Sequence, residues 1–449
     1  MPLLLLLGSV YLQAQTGALA PITAGTVYGQ GGSFTSPNGN LGGISANSLY
    51  QPENLAVDGN GNLYVADLQN SRVLFYPRGS TTATRVYGQG ANFTTGSANP
   101  VSADSLNNPY GLAIDNSGNL YIADWNNNRV LFYPAGSTTA ARVYGQNGSF
   151  ITNTANNGGA VSATSFNGPQ SVALDSSGNL YVADTGNSRV LFYPAGSTTA
   201  TRVYGQGGSF TSNTANWNGV TADSLYQPFS IALDSSGNLY VADDQNNRVL
   251  FYPAGSTTAS RVYGQGGSFT SNIANNGGIS ANSLNGPQGV ALDGGGNLYV
   301  ADYFNNRVLF YPFGSTTAAR VYGQGGSFTS SNANTNSNSL SNPAAVALDS
   351  SGDVYIADKS NNRVLEYGGF PVTNVCPSGQ STPAPCNNTV TLSYNVPTTT
   401  TFGAPQVLTQ GTPNLDFTLA NGSTCTGTIS AGSTCLVNVT FTPMAPGLR

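Results

Sequence analysis

Short apolar runs alternate with polar, glycine-rich turns along most of the chain, and the alternation is periodic. The run Leu-Tyr-Val-Ala-Asp at 180–184 is followed by a polar turn and then by Arg-Val-Leu-Phe-Tyr at 189–193. The same pattern occurs six times, with a period of 56 to 60 residues. The runs are rich in β-branched and aromatic residues and lack helical periodicity, so they predict β-strands. Repeats of this length are typical of propellers, solenoids and arrays.

Each repeat contains four predicted strands, which we call a, b, c and d. In the third repeat these strands cover residues 171–175, 180–184, 189–193 and 202–206. The first d copy, at 27–30, precedes every other strand, and no d copy follows the last c strand at 363–367. An N-terminal strand that completes the last blade closes a ring and removes free sheet edges. The sequence therefore predicts an all-β fold, a six-bladed β-propeller closed by pairing of these two segments.

Charge and hydropathy exclude several classes of function. Charged residues make up 7% of the 449 residues and the net charge is −5, which argues against a nucleic-acid partner. The apolar run at 3–10, although no Lys or Arg precedes it, predicts a signal peptide over residues 1–15. That run is too short to span a bilayer and no later run is long enough, so no transmembrane segment is expected. We expect a secreted or cell-surface protein.

The C-terminal part of the chain has a different pattern. We divide the chain into a propeller at 22–368, a linker at 369–388 and a partial Ig-like β-sandwich at 389–449. The last segment is short for such a sandwich, so we expect the protein to continue beyond it. Export predicts two local disulfides, and a zinc site is the alternative, although the chain has no His and no Cys-x-x-Cys motif. The expected pairs are Cys376 with Cys386 and Cys425 with Cys435.

Long polar segments such as 207–227 and 266–286 separate each d strand from the next a strand. In a propeller these loops share one face with the b-to-c turns, and we call it the long-loop face. Loops on a rigid scaffold commonly carry function, so this face is the predicted binding surface; ordered packing loops are the alternative. Each loop carries a Phe that we expect to turn inward, and these are Phe34, Phe93, Phe150, Phe210, Phe269 and Phe328.

The repeat unit P-x-x-V-A-L-D-x-x-G-N-L-Y-V-A-D-x-x-N-x-R-V-L-F-Y resembles the NHL repeat in all six copies. This resemblance implies a six-bladed propeller but not a function, because the fold hosts binding modules, sensor domains and a few enzymes. The tail at 424–447 is similar to Ig-like modules of the ASPM–SPD-2–Hydin type in bacterial surface proteins. The NHL motif often has His before its Arg, where this chain has Ser71, Asn128, Ser188, Asn247, Asn306 and Asn362.

An Asp at the end of strand b is followed, five residues later, by an Arg in every repeat. We predict a structural pair in which the Asp also accepts backbone N–H groups of the following turn. Ligand binding is the alternative. The pairs are Asp67 and Arg72, Asp124 and Arg129, Asp184 and Arg189, Asp243 and Arg248, Asp302 and Arg307, and Asp358 and Arg363.

A second Asp ends each a strand, near one mouth of the predicted channel. We expect these carboxylates to cap the a-to-b turns, and a Ca²⁺ ion held in the channel is the alternative. No cofactor is otherwise predicted. The six residues are Asp58, Asp115, Asp175, Asp234, Asp293 and Asp349.

Catalytic residue types are scarce, since the chain has no His, one Lys (Lys359) and two Glu (Glu53 and Glu366). Neither a catalytic residue nor a metal site is predicted, and six similar blades suit multipoint binding better than one active site. One position varies within this frame, following the Pro that opens each a strand. This variation predicts either a ligand contact at the channel mouth or a surface position that tolerates substitution. The residues are Glu53, Tyr110, Gln170, Phe229, Gln288 and Ala344.

The expected function is non-enzymatic binding or adhesion, with a protein or glycan as the partner. The alternative is a hydrolase or lyase of the six-bladed propeller class, which would use Asp, Glu53 and a channel-bound cation.

Overall fold

The computed structural model describes residues 4–7, 22–368, 389–395, 399–402, 406–409, 412–413, 417–430 and 433–441. Residues 22–368 form six antiparallel sheets of four strands each, in the order a-b-c-d, which confirms the predicted propeller. Among the described residues, no helix has the length and apolarity needed to cross a membrane.

The strands of blades 1 to 6 have the following bounds. They are Pro52–Val57, Leu63–Asp67, Arg72–Tyr76 and Arg85–Tyr87; Pro109–Ile114, Leu120–Asp124, Arg129–Tyr133 and Arg142–Tyr144; Pro169–Leu174, Leu180–Asp184, Arg189–Tyr193 and Arg202–Tyr204; Pro228–Leu233, Leu239–Asp243, Arg248–Tyr252 and Arg261–Tyr263; Pro287–Leu292, Leu298–Asp302, Arg307–Tyr311 and Arg320–Tyr322; and Pro343–Leu348, Val354–Asp358, Arg363–Tyr367 and Thr26–Tyr28.

Short 3₁₀ turns follow the b strands and most d strands. Those after strand b are Leu68–Asn70, Trp125–Asn127, Thr185–Asn187, Asp244–Asn246, Tyr303–Asn305 and Lys359–Asn361. Those in the long loops are Gln30–Gly32, Gln89–Ala91, Gln146–Gly148, Ala155–Gly158, Gln265–Gly267 and Gln324–Gly326.

The ring is closed by the N-terminal strand, as predicted. Thr26–Tyr28 pairs antiparallel with the c strand of blade 6, placing Val27 opposite Leu365. The strand ends at Tyr28, earlier than the predicted residue 30, because Gly29 has a φ of +82° and leaves the extended conformation. The same reason shortens every d strand. The a strands also differ from prediction, since each begins at its Pro and ends before the Asp that starts the a-to-b turn.

Apolar contacts between blades form the core. One cluster joins Tyr64 and Ala66 of blade 1 to Leu112 and Ile122 of blade 2. Burial of both blade faces explains why strands b and c are almost continuously apolar. At every blade junction the Tyr of strand d meets the Tyr of the next strand c edge-on, with ring centroids 5.3 to 5.7 Å apart. The six contacts are alike, so the junction made by the N-terminal strand matches the others.

The inner wall of the propeller is made by the a strands, each of which contacts the a strands of both neighbouring blades. The amide of Ile231 in blade 4 donates to Ser171 Oγ in blade 3 at 3.2 Å. The pairing of strand a with strand b skips its second residue, since Pro52 lies opposite Asp67 and Asn54 lies opposite Ala66. All six blades have this irregularity, which is a β-bulge.

The described parts of the tail belong to a second compact unit. Its strands are Thr389–Asn395, Thr400–Phe402, Gln406–Thr409, Thr412–Pro413, Phe417–Leu419, Gly427–Ile429 and Thr434–Phe441, and Leu4–Leu7 pairs in parallel with Gln406–Thr409. The predicted disulfide between Cys425 and Cys435 is present. Cys376, Cys386 and the linker lie outside the described residues, so their pairing stays a prediction, as does the Ig-like architecture.

Candidate functional site

Hydrogen bonds assign the loops to two faces. The amide of Tyr50, at the end of a long loop, donates to Asp67 Oδ1 at the end of strand b at 2.7 Å. The amide of Gln69 in the b-to-c turn donates to the carbonyl of Tyr50 at 3.2 Å. On the other face, Asn62 Oδ1 of an a-to-b turn accepts from the amide of Arg78 in a c-to-d turn at 3.0 Å. The long loops and b-to-c turns therefore share the long-loop face.

A buried Asp and Arg pair anchors the long loops in every blade. Both side chains are 0% exposed, and Arg Nε lies 2.7 to 2.8 Å from Asp Oδ2 in all six pairs. In blade 1, Arg72 Nη1 donates to the carbonyl of Phe93 at 2.6 Å, in the loop that follows the blade. Its Nη2 donates to the carbonyls of Ser45 and Ser48 at 3.0 and 2.9 Å, in the loop that precedes it. One guanidinium thus ties two successive loops to one blade.

The partners of the Asp differ from the predicted ones in one respect. Its backbone donor belongs to the preceding long loop, as with Tyr50, and not to the following turn. The reason is that strand b ends beside the place where the long loop enters strand a. The predicted inward Phe is found, since the half-buried rings of Phe93, Phe150, Phe210, Phe269 and Phe328 pack on the core clusters. Phe34 is also half-buried, and its carbonyl accepts from Arg363.

The second Asp series forms turn caps. Asp58 Oδ1 accepts from the amides of Asn60 and Asn62 at 2.9 and 3.0 Å, and its Oδ2 accepts from Asn62 Nδ2 at 2.9 Å. The other five Asp accept the two equivalent amide bonds. Within the described residues, no three His, Cys, Asp or Glu side chains come together as a metal site would need.

The variable residue of strand a occupies the bulge in all six blades. Glu53 and Ala344 are each 2% exposed, and Gln170 and Gln288 are each 9% exposed, so these four are not an open surface. The rings of Tyr110 in blade 2 and Phe229 in blade 4 lie 5.8 Å apart, which spans the width of blade 3. Bulges are frequent beside active sites because they redirect a side chain. Here the bulges direct the variable residues toward the opening of the central channel on the long-loop face.

Sequence reasoning missed a second variable position at the same mouth. It directly follows the Asp of strand b, inside an otherwise constant motif, and that variation was the available signal. The residues are Leu68, Trp125, Thr185, Asp244, Tyr303 and Lys359.

The two variable series contact each other, and we call them together the channel mouth. The Trp125 ring lies 5.2 Å from the Tyr110 ring. Lys359 Nζ lies 2.7 Å from Glu53 Oε2, and Nζ also lies 5.6 Å from the centre of the Tyr303 ring. Burial raises the pKa of Glu53, and Lys359 partly opposes this shift. Burial also raises the pKa of Tyr110, and Glu53 and Tyr303 add to that shift. Blades 1, 2, 5 and 6 therefore interact electrostatically across the mouth.

Asp244 is the one acidic side chain of the channel mouth that, in the described part of the chain, forms no ion pair with Lys or Arg. It is 5% exposed, and burial raises its pKa to about 6. Its Oδ2 accepts from Gln245 Nε2 at 2.7 Å, whereas Oδ1 has no hydrogen-bond partner. Oε1 of Gln170 and of Gln288 are also buried without a donor. Three buried acceptor atoms of the mouth thus lack a donor within the described residues.

The repeat model that matches this chain is the NHL repeat, at residues 106–132, 166–192, 284–309 and 340–367. These segments fall in blades 2, 3, 5 and 6, and blades 1 and 4 contain the same buried Asp and Arg pair. The chain is therefore a six-bladed β-propeller with NHL repeats.

Several solved structures are similar to this chain at low sequence identity. A protein of unknown function from Bacteroides thetaiotaomicron VPI-5482 is 16% identical, with a TM-score of 0.51, and the match covers 77% of this chain and 75% of that one. Hydrazine synthase from Kuenenia stuttgartiensis is 13% identical, with a TM-score of 0.44 over 71% and 96% of the two chains. A streptogramin B lyase is 11% identical, with a TM-score of 0.40 over 73% and 95%. No curated protein matches the sequence. The likeness to the Bacteroides thetaiotaomicron protein bears on the fold alone, and no argument is drawn from the other two.

Proposed function

We propose that the chain is a secreted or cell-surface binding protein without catalytic activity, which recognises a protein or glycan through its long-loop face. The observation that carries the proposal is where large apolar side chains are exposed. In the described propeller, Phe313 is the only exposed large apolar residue on the opposite face. We take the confinement of exposed large apolar side chains to one face as support for an interaction surface there. Those on the long-loop face are Leu41, Tyr50, Ile151, Trp217, Ile273 and Phe304.

The anchoring of the loops supports the same proposal. Each long loop is held by two Arg side chains, one from the blade before it and one from the blade after it. A surface ordered before binding loses less conformational entropy when a partner docks. Of the variable residues of the channel mouth, the half-buried Tyr110 and Phe229 would add selectivity by contact. The buried Glu53, Gln170, Gln288 and Ala344 would act by shaping the mouth beneath them. The disulfide between Cys425 and Cys435 supports an oxidising compartment.

The test compares apolar residues on the two faces. A variant with Ile151→Ser, Trp217→Ser and Ile273→Ser is measured against Phe313→Ser for binding to immobilised glycans and extracellular proteins. We expect the triple variant to lose at least about tenfold in affinity for whatever the wild type retains, because anchors of this kind dominate interfaces. Phe313→Ser should bind as the wild type does, and both should unfold at similar temperatures. Equal losses in the two variants, or wild-type binding by the triple variant, would contradict the proposal.

A hydrolase or lyase acting at the channel mouth, with a channel-bound cation, is the second candidate. One observation favours it, namely that Glu53 and Asp244 are both buried there and that the pKa of each is raised, that of Asp244 to about 6. Carboxyl groups with raised pKa values occur at active sites as general acids and bases. Turnover of any substrate that is lost in Glu53→Gln, with folding intact, would favour this candidate over the binding protein.

A further inference from the structure

We propose that the channel mouth binds the primary ammonium group of a ligand, with Asp244 Oδ1 as its principal acceptor and the Phe304 ring beside it. This inference rests on the proposed binding role of the long-loop face and specifies the chemistry of one site on it.

The first observation is the state of the Asp244 carboxylate. Its side chain is 5% exposed, its Oδ1 has no hydrogen-bond partner, and none of the described Lys or Arg residues forms an ion pair with it. The charged neighbour Asp243 is already paired with Arg248 at 2.8 Å. A buried carboxylate without a partner is costly, and an N–H donor with positive charge satisfies both its charge and its free lone pairs.

The second observation is what covers this oxygen. Gly286, at the start of blade 5, has a φ of +58°, and a Cβ placed on it would lie 3.2 Å from Asp244 Oδ1 and 2.5 Å from the Phe304 ring. The carboxylate oxygen and the ring therefore pack against the same glycine, and only the absence of a Cβ there lets the ring lie so close. Asp244 Oδ1 is closed to solvent whereas Phe304 is 52% exposed, so a ligand would reach the oxygen by displacing this ring.

The third observation concerns groups on the elements next to Asp244. Gln288 Oε1 is buried without a donor, on the a strand of blade 5 that contacts the b strand ending at Asp243. The Tyr303 ring lies 5.0 Å from the Phe304 ring and already faces the cation of Lys359. Aromatic faces, a carboxylate and an amide oxygen together suit an ammonium group, which offers three N–H donors and a compact charge.

The chemistry disfavours two other occupants. A hard divalent cation takes six to eight oxygen ligands, and the described residues bring no three acidic side chains together here. A neutral hydroxyl group would leave the charge of Asp244 uncompensated. The ammonium group itself has two sources, a free arylalkylamine or a Lys side chain of another protein, and the two probes below separate them.

Calorimetric titrations of the full chain at pH 7.5 use 2-phenylethylammonium as the free amine and Nα-acetyl-lysine amide as the Lys side chain. The uncharged 2-phenylethanol has the same shape as the first probe. We expect one ammonium probe to saturate the protein and to bind at least about tenfold more tightly than the alcohol, because a charge-assisted hydrogen bond is lost with the charge.

Two pairs of variants localise the site. Asp244→Asn should weaken the ammonium probe by about tenfold or more, while Asp223→Asn, an exposed Asp of a long loop, should not. Phe304→Leu should weaken it several-fold, and Phe313→Leu on the opposite face should leave it unchanged. A melting curve for each variant shows that folding is retained.

Three results would overturn the inference: no saturation by either ammonium probe, equal affinity for the alcohol, or unchanged affinity in Asp244→Asn. None of these affects the test of the proposed function, which uses Ile151, Trp217 and Ile273. If that test succeeds and this one fails, the face binds a partner without an ammonium contact at Asp244.

Discussion

The carboxyl group of Asp244 is expected to lower the stability of the folded protein at neutral pH, and Asp244→Asn should relieve this cost. Burial raises its pKa from 3.8 to about 6, so the folded state holds the proton more tightly than the unfolded chain. Below the unfolded pKa both states are protonated and the cost vanishes. As the pH rises toward the folded pKa, the unfolded chain ionises first and the folded state loses relative stability.

The magnitude follows from that shift, at 1.36 kcal/mol per pKa unit. The stability of Asp244→Asn should exceed that of the wild type by about 1 kcal/mol at pH 4.5 and by about 3 kcal/mol at pH 7.5. Among the groups that face Asp244, Asp243 is held in its pair with Arg248, and Gln245 does not titrate. Tyr303 is also buried and its pKa is raised above its ordinary value of 10.0, so it stays neutral over this range.

Urea unfolding of wild type and Asp244→Asn at several pH values between 4.5 and 7.5 measures the difference directly. Asp223→Asn, at an exposed Asp that accepts from Thr221 Oγ1 at 2.6 Å, is the control for the loss of a carboxyl group at the surface. A flat difference for Asp244→Asn, or a variant less stable than wild type at pH 7.5, would refute the assignment of Asp244 as an uncompensated buried carboxyl group.

Three further predictions concern the scaffold. Arg189→Met should cost about 3–5 kcal/mol in urea unfolding, because it leaves Asp184 buried without its partner; a loss under 1 kcal/mol would contradict the anchoring role. Tyr28→Ala should cost about 3–5 kcal/mol and lower the melting temperature of the whole propeller, since this ring forms the closing junction; melting limited to one blade would argue against cooperative closure. Lys359→Met should destabilise the protein more at pH 8 than at pH 5. The unfolded Glu53 is already ionised above its ordinary pKa of 4.5, whereas the buried Glu53 without Lys359 holds its proton to a higher pH, so the cost of folding grows as the pH rises. The double variant with Glu53→Gln should remove that pH dependence, and its persistence would show another cause.

The architecture could be predicted because the repeats are nearly identical and one d strand is displaced to the N-terminus. The displaced strand has a simple physical explanation, because it pairs with the exposed edge strand of the last blade. The pairing of Val27 with Leu365 could therefore be predicted by counting strands. Strand ends were less predictable. They depend on where Gly29 and its equivalents take a positive φ, and on a bulge that no residue type in strand a announces.

The channel mouth could be predicted only in part. The residue that follows the Pro of strand a varies among the blades, and this variation pointed to Glu53 and Tyr110. The residue that follows strand b varies in the same way and includes Asp244 and Lys359, but the prediction did not include it. Variation at one position does not show which blades face each other. The salt bridge from Lys359 to Glu53 joins blades 6 and 1, which meet only because the ring closes. Burial of Asp244 likewise depends on Gly286 and Phe304 of the next blade, and not on its own repeat.

The strand at Thr26–Tyr28 has a consequence for how the protein is made. Tyr28 Oη donates to Glu366 Oε2 at 2.9 Å across 338 residues of sequence. At roughly 5–20 residues per second, the first strand leaves the ribosome roughly 20 to 70 s before its partner exists. Throughout that interval each finished blade leaves an open flank, and the waiting strand is free to pair with a neighbouring nascent chain instead. Production of the protein should therefore depend on translation speed and on chaperones that shield the N-terminal segment, even though the finished ring needs neither.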